Sequence, residues 1–238
     1  CVMGIKPKNY DISTNGELEV IKKVLKAYHT FYSGENNSRL GIVNPKYPME
    51  ITKYRSKDNT LESDLALRDF TMNALAYSED DGLIDYGTGL LDIKNKVIRV
   101  NGESDEIFIN DPLLILRAIR LSGEYGMRID IDTQAYMNEN RELLRDVAPE
   151  RIRDELTKIL VVPRCEFYIK KYFDIFLEIL PELALLEHFN QNDPHHIYDA
   201  LEHTLVSLKV IEPRLELRLA MLFHDIAKPY TYTKKSDG

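Results

Sequence analysis

From Asp111 onward the 238-residue chain reads as one helix after another, whereas its first hundred residues mix helical and alternating segments. This change of period constrains the fold more than any other feature. A helix buries a stripe that recurs about every 3.6 residues, while a strand buries one face at period two. In the first part, "RLGIV" (39–43) and "MEITKYR" (49–55) alternate as strands, and "GELEVIKKVLKAYH" (16–29) has helical spacing. "SDLALRDFTMNALAY" (63–77) predicts a further helix with Ser63 or Asp64 as N-cap, and "DGLIDYGTG" and "KVIRVNG" carry turn and strand signals. Beyond them, helices are expected over Asp111–Tyr125, Asp132–Arg145, Pro149–Val161, Arg164–Leu177, His196–Ile211 and Leu215–Ile226, with "NQNDPHH" (190–196) as a linker. The expected class is α+β: a small mixed sheet in a head, then an all-helical body.

Composition narrows the function classes. With 44% hydrophobic and 29% charged residues the chain can bury a core, and disorder is not expected. Two cysteines, Cys1 and Cys165, do not make a disulfide framework, so a reducing, cytoplasmic setting is expected. No apolar run approaches the roughly 20 residues that span a bilayer, and neither a signal peptide nor a membrane partner is expected. The net charge of −8 argues mildly against a nucleic-acid partner, although residues 113–128 hold three arginines against the single acid Glu124.

Four groups of residues carry chemistry. In "PKNYDIST" Asp11 lies between apolar neighbours on an expected strand, where a carboxylate needs hydrogen bonds or a cation. Two acids at i and i+2 would share a face and hold Mg²⁺, but Asn9 stands at the second place, and Glu50 on another strand can supply the missing oxygen. A strand-edge acid and a solvent-facing Glu50 are the plain alternatives. Arg68 and Asp69 are expected at a helix start, a setting for phosphate and ribose or simply a capped, salt-bridged terminus. Asp111 and position 114 are expected on one helix face with Arg117 and Arg120 further along, and Asp111-Pro112 is also ordinary N-cap grammar. His203 and the adjacent His224-Asp225 have the donor types of a metal site, with capping or surface roles as the alternative; His196, seven residues before His203, reads as a surface residue.

Together, "MGIKPKNYDIST", "TLESDLALRDFTMNALAY", "LIDYGTGLLDIKNKVIRVNG", "DPLLILRAIRLSGEYGMRID" and "APERIRDELTKIL" resemble the class II tRNA nucleotidyltransferases, that is, the CCA-adding enzymes and the bacterial poly(A) polymerases. "HHIYDALEHTL" and "LAMLFHDIAKP" resemble the subset of this family that carries an HD domain. The resemblance implies a polymerase-β-like nucleotidyltransferase head over residues 1–100, a helical neck over 101–163, and a helical body with a partial HD domain over 164–238. It implies template-independent addition of C and A to the tRNA 3′ end from CTP and ATP, with Mg²⁺ as cofactor and a second divalent metal in the HD part. Asp11 would bind Mg²⁺, Arg68, Asp69 and Asn73 would handle triphosphate and ribose, and Asp111 would read the base edge. Arg117 and Arg120 would continue the basic face, and Arg151 would open the next neck helix. His203, His224 and Asp225 match the first HD ligands.

Departures from the family pattern fall on functional positions: Asn9 for the first acid, Leu67 for an arginine, Asn110 for a glutamate and Leu114 for the base-reading arginine. They raise three alternatives: a catalytically impaired homologue that binds tRNA, an HD-type metal-dependent phosphohydrolase, and a poly(A) polymerase.

Overall fold

In a computed structural model the chain is described over residues 2–7, 9–44, 46–102, 106–189 and 199–231. It divides into two compact units, residues 1–95 and 96–238. In the first unit the elements are β1 (Tyr10–Thr14), α1 (Leu18–Val24), β2 (Thr30–Ser33), β3 (Arg39–Ile42), β4 (Met49–Lys53), α2 (Leu61–Ala66), β5 (Leu75–Ser78), β6 (Gly82–Asp85) and α3 (Gly89–Asn95). The second unit holds β7 (Val97–Ile98), α4 (Glu106–Asn110), α5 (Leu114–Tyr125), β8 (Arg128–Ile129), α6 (Ile131–Glu139), α7 (Pro149–Val161), α8 (Cys165–Lys171), α9 (Phe173–Ile179), α10 (Ala200–Val210), α11 (Leu215–Phe223) and α12 (Lys228–Thr231).

The sheet of the first unit runs β1-β4-β3-β2, with β1 parallel to β4 and the other pairs antiparallel. Alternation decides its two faces. Leu40, Ile42 and Ile51 join Leu18 of α1 in a buried cluster, with Ile21, Leu25, Tyr32 and Met49 around it. Side chains one residue out of step therefore point away from α1. These include Asp11, Ser13, Glu50, Thr52, Arg39, Gly41, Phe31 and Ser33, and this polar face positions the candidate site.

The expected helix over 63–77 is replaced by three elements. α2 begins at the Thr60 cap, whose Oγ1 accepts from the Ser63 amide at 3.3 Å, and ends at Ala66. A 3-10 turn (71–73) follows, then β5 pairs antiparallel with β6. The cause is local: Asp69 Oδ1 accepts from the Phe70 amide at 2.8 Å and from Asn73 Nδ2 at 3.0 Å, which holds the backbone out of the helix.

The second unit is a helical assembly, in which β7 and β8 form a short two-stranded parallel sheet. α5 starts at Leu114, not at Asp111, and ends where Gly126 takes a left-handed conformation (φ 63°). Such a C-terminus favours a residue without Cβ. Pro149 opens α7, where its missing N–H costs nothing. The helix expected over 132–145 is α6 followed by a 3-10 stretch (141–146), and the one over 164–177 breaks at Tyr172 into α8 and α9. Leu116, Ile119, Met137, Ile159, Leu160 and Phe176 are fully buried, each contributing about 1.5–3 kcal/mol. Cys165 is buried and free. The expected linker 190–196, with His196, lies outside the described residues. No helix among the described residues is long and apolar enough to cross a membrane.

Candidate active site

On the polar face of the sheet, Asp11 of β1 is the register partner of Glu50 of β4. Register partners on neighbouring strands project to the same side with Cβ atoms about 5 Å apart, so the fold brings together two acids that lie far apart in sequence. Asn9, two residues before Asp11, donates from Nδ2 to Asp11 Oδ1 at 3.0 Å. Glu50 accepts from Ser33 Oγ at 3.4 Å and is paired with Arg39 Nη1 at 3.4 Å. Each of the three groups carries an oxygen of the donor type that a hard divalent cation requires.

Arg68 and Asp69 do not start a helix; they follow the C-terminus of α2, so neither gains from a helix N-terminus. Arg68 is drawn to the sheet instead: Nη2 donates to Ser13 Oγ at 2.7 Å and to Asp64 Oδ2 at 2.9 Å. Its Nε is buried with no hydrogen-bond partner among the described residues. Asp64 is 1% exposed and also accepts from the Arg55 amide at 2.9 Å. Burial pushes the Asp64 carboxyl up, but the Arg55 amide and the Arg68 guanidinium outweigh it, so the group stands below its ordinary value. Asp64, expected only as an N-cap, is instead the buried partner of Arg68, and no local pattern marks Ser13 or Arg39 as members of this face. The i,i+4 spacing of Asp64 and Arg68 was the available signal.

In the second unit Asp111 lies in the turn before α5, and its carbonyl accepts from the Leu114 amide. Leu114 is 4% exposed and packs in the core, so no polar group stands there. Arg151 of α7 meets Asp111 Oδ1 through Nη2 at 3.1 Å. Arg117 is partly buried on α5. Arg120 is engaged elsewhere: Nε reaches Glu155 Oε2 at 2.7 Å and Nη1 reaches Glu124 at 3.0 Å. Burial pushes the Glu155 carboxyl up, but Lys158 and Arg120 more than reverse it, leaving it below its ordinary value. On α7, Arg151 and Glu155 are four residues apart and share a face, so the Arg120–Glu155 pair fixes the register that sets Arg151 beside Asp111.

His203 of α10, His224 and Asp225 bring their donor atoms within 4.8 Å of one another. His224 Nε2 lies 3.3 Å and His203 Nε2 3.9 Å from Asp225 Oδ2. Four ligands placed tetrahedrally about 2.1 Å from a metal stand roughly 3.4 Å apart; the His224–Asp225 separation matches that spacing, while His203 stands wider. His224 Nδ1 is 2.7 Å from the Met221 carbonyl. A carbonyl only accepts, so Nδ1 is the donor in that contact and Nε2 is the ring nitrogen that faces Asp225. Lys228 Nζ lies 2.8 Å from the same Asp225 oxygen.

Comparison with known proteins agrees with this architecture. Residues 1–99 match the poly A polymerase head domain, and residues 126–187 match the probable RNA and SrmB-binding site of polymerase A. A CCA-adding enzyme of Lactobacillus johnsonii is 31% identical over 182 residues, covering 71% of this chain and 44% of that protein. A CC-adding tRNA nucleotidyltransferase of Halalkalibacterium halodurans is 33% identical over 159 residues, covering 67% of this chain and 41% of that protein. Among solved structures, a tRNA-processing enzyme in apo form superposes with a TM-score of 0.73 at 26% identity, covering 93% of this chain and 66% of the other. The Thermotoga maritima CCA-adding enzyme complexed with tRNA has a TM-score of 0.68 at 23% identity, over 98% of this chain and 60% of its own, and so shares the fold. The chain spans about half the length of the curated relatives it matches. With both family models and the relatives in agreement, the chain belongs to the class II tRNA nucleotidyltransferase family of CCA-adding enzymes and bacterial poly(A) polymerases.

Proposed function

We propose that this protein transfers nucleotidyl groups from CTP and ATP to the 3′ end of tRNA without a nucleic-acid template. The observation that carries the reading is the register of Asp11 opposite Glu50 on the open face of the sheet, with the Arg68 guanidinium beside the same strand. The relatives named as CCA-adding and CC-adding enzymes support it. Asp11 and Glu50, with the Asn9 amide turned so that its oxygen faces the ion, would hold Mg²⁺. The chemistry that ion supplies is neutralisation of triphosphate charge and alignment of the 3′-hydroxyl for in-line attack on the α-phosphorus, with pyrophosphate leaving. Arg68 binds a phosphate oxygen, and Asp64 and Ser13 hold it in position. Asp69 and Asn73, already hydrogen-bonded to each other, present polar groups to the ribose. Asp111 and Arg151 offer an acceptor beside a donor. That pairing complements the amino group and ring nitrogen shared by cytosine and adenine, and it mismatches uracil and guanine. Such chemistry belongs in the cytoplasm.

Asn9 makes the cation site weaker than a pair of carboxylates would, because an amide oxygen ligates without charge. The function is therefore nucleotide addition at reduced cation affinity. Titrating Mg²⁺ in a primer-extension assay with CTP and tRNA lacking its 3′ end tests this. Extension that saturates only at high Mg²⁺ agrees with the proposal, and no extension at any Mg²⁺ concentration contradicts it.

His203, His224 and Asp225 would hold a second divalent metal, for which imidazole and carboxylate donors suit a transition ion. Stoichiometric metal in the purified protein, lost in His203→Ala, is the expected result.

A further inference from the structure

The row of register partners that contains the two acids continues across the whole sheet. Asp11 pairs with Glu50, Glu50 with Gly41, and Gly41 with Phe31 on the edge strand β2. All four residues therefore stand on the polar face. The Phe31 ring rests directly on Gly41, where a Cβ would collide with it. It is 51% exposed there, although the apolar core lies on the opposite face of the same sheet. Next to it on this face stands Arg39, more than half exposed, paired at 3.4 Å with Glu50.

An aromatic ring kept on the polar side, beside an exposed guanidinium, is the combination that binds single-stranded nucleic acid. Bases stack on the ring, and the cation tracks the phosphates. The two ends of the row differ in character. At the β1 end Arg68 is largely buried and held by Ser13 and Asp64, a rigid cation for a compact, highly charged group such as a triphosphate. At the β2 end the cation is exposed and the neighbour is aromatic, which suits an extended strand with bases. We propose that Phe31 is the stacking platform for the terminal bases of the RNA acceptor strand. Arg39 contacts the adjacent phosphate, and together they position the 3′-hydroxyl beside Glu50. Phe31 is a positioning residue, and the proposal rests on the nucleotide-addition reading.

The test uses the full chain and an RNA whose 3′-terminal single-stranded nucleotide is 2-aminopurine, a base whose fluorescence falls when it stacks. Affinity is read in parallel by anisotropy of the same RNA labelled at its 5′ end. The wild type quenches the probe. Phe31→Ala loses the quenching and weakens RNA binding about tenfold, the scale of one lost base stack, with CTP affinity and Tm unchanged. Phe31→Trp keeps both quenching and affinity, whereas Phe31→Leu, apolar without a π-face, behaves like the alanine variant. Quenching that survives in Phe31→Ala, or Phe31→Leu equal to wild type, overturns the assignment. So does a fall in CTP affinity or Tm equal to the loss in RNA binding. A wild type that binds the RNA without quenching sinks this inference alone, while one that binds neither RNA nor CTP sinks the nucleotide-addition reading with it.

Discussion

Asn9 donates its side-chain amide to Asp11 Oδ1 at 3.0 Å, so the residue at the first acid position spends its polar contact on the one carboxylate retained. This predicts that Asn9→Asp raises Mg²⁺ affinity and the rate of extension at limiting Mg²⁺ by about tenfold or more, a carboxylate being the stronger ligand for a hard cation. Asp11→Asn should abolish extension with the fold intact, which circular dichroism would verify. Glu50→Gln should raise the Mg²⁺ requirement.

Arg151 lies 3.1 Å from Asp111, and both side chains are partly exposed. An exposed ion pair stabilises by about 0–1 kcal/mol, so Arg151→Ala should leave Tm nearly unchanged. Its effect should appear in selectivity. The wild type is expected to bind CTP and ATP about tenfold more tightly than UTP and GTP, and Arg151→Ala should bring all four together. Equal weakening of all four would assign Arg151 to the phosphates instead.

The Arg120–Glu155 pair is structural. Arg120→Met leaves Glu155 buried with Lys158 still paired to it, so the expected loss is below the roughly 3–5 kcal/mol of a buried charge with no partner. Adding Glu155→Leu should recover much of it. Glu155 and Asp64 both have folded values below the ordinary carboxylate range, so at acid pH the unfolded chain binds more protons than the folded one. Their contribution is complete above about pH 5 and is lost as pH falls through the depressed folded values. Thermal melts from pH 7 to pH 3 should show a plateau and then a decline, less steep in Glu155→Leu.

Lys228 Nζ sits 2.8 Å from the Asp225 oxygen that His203 and His224 also approach. A divalent ion at that oxygen must displace or repel the ammonium. Lys228→Met is therefore expected to bind Co²⁺ or Mn²⁺ about tenfold more tightly by calorimetry, as one nearby like charge is removed. Unchanged affinity would remove Lys228 from the account of this site.

Parts of this were legible in the amino-acid order and parts were not, for physical reasons. β3, β4 and α7 follow from their alternation or 3.6-residue spacing, because the burial that makes those patterns is local to each element. The pairing of Asp11 with Glu50 is not local: β1 and β4 are parallel, and residues 15–48 intervene. The stretch Phe70–Tyr77 has apolar residues at helical spacing, yet the Asp69 side chain caps Phe70 and diverts the backbone into a 3-10 turn and a strand. Arg120 looked like part of a basic face because its partner Glu155 lies on another helix. The break at Tyr172 has no Gly or Pro to announce it.

The Asp11–Glu50 face is proposed to add nucleotides to the tRNA 3′ end. The most direct measurement is incorporation of labelled CTP and ATP by the full-length protein into tRNA lacking its terminal CCA, at several Mg²⁺ concentrations, beside Asp11→Asn. Incorporation is expected to rise with Mg²⁺ and to disappear in Asp11→Asn. Equal incorporation by the wild type and Asp11→Asn, or none by either while both bind tRNA tightly, would contradict it.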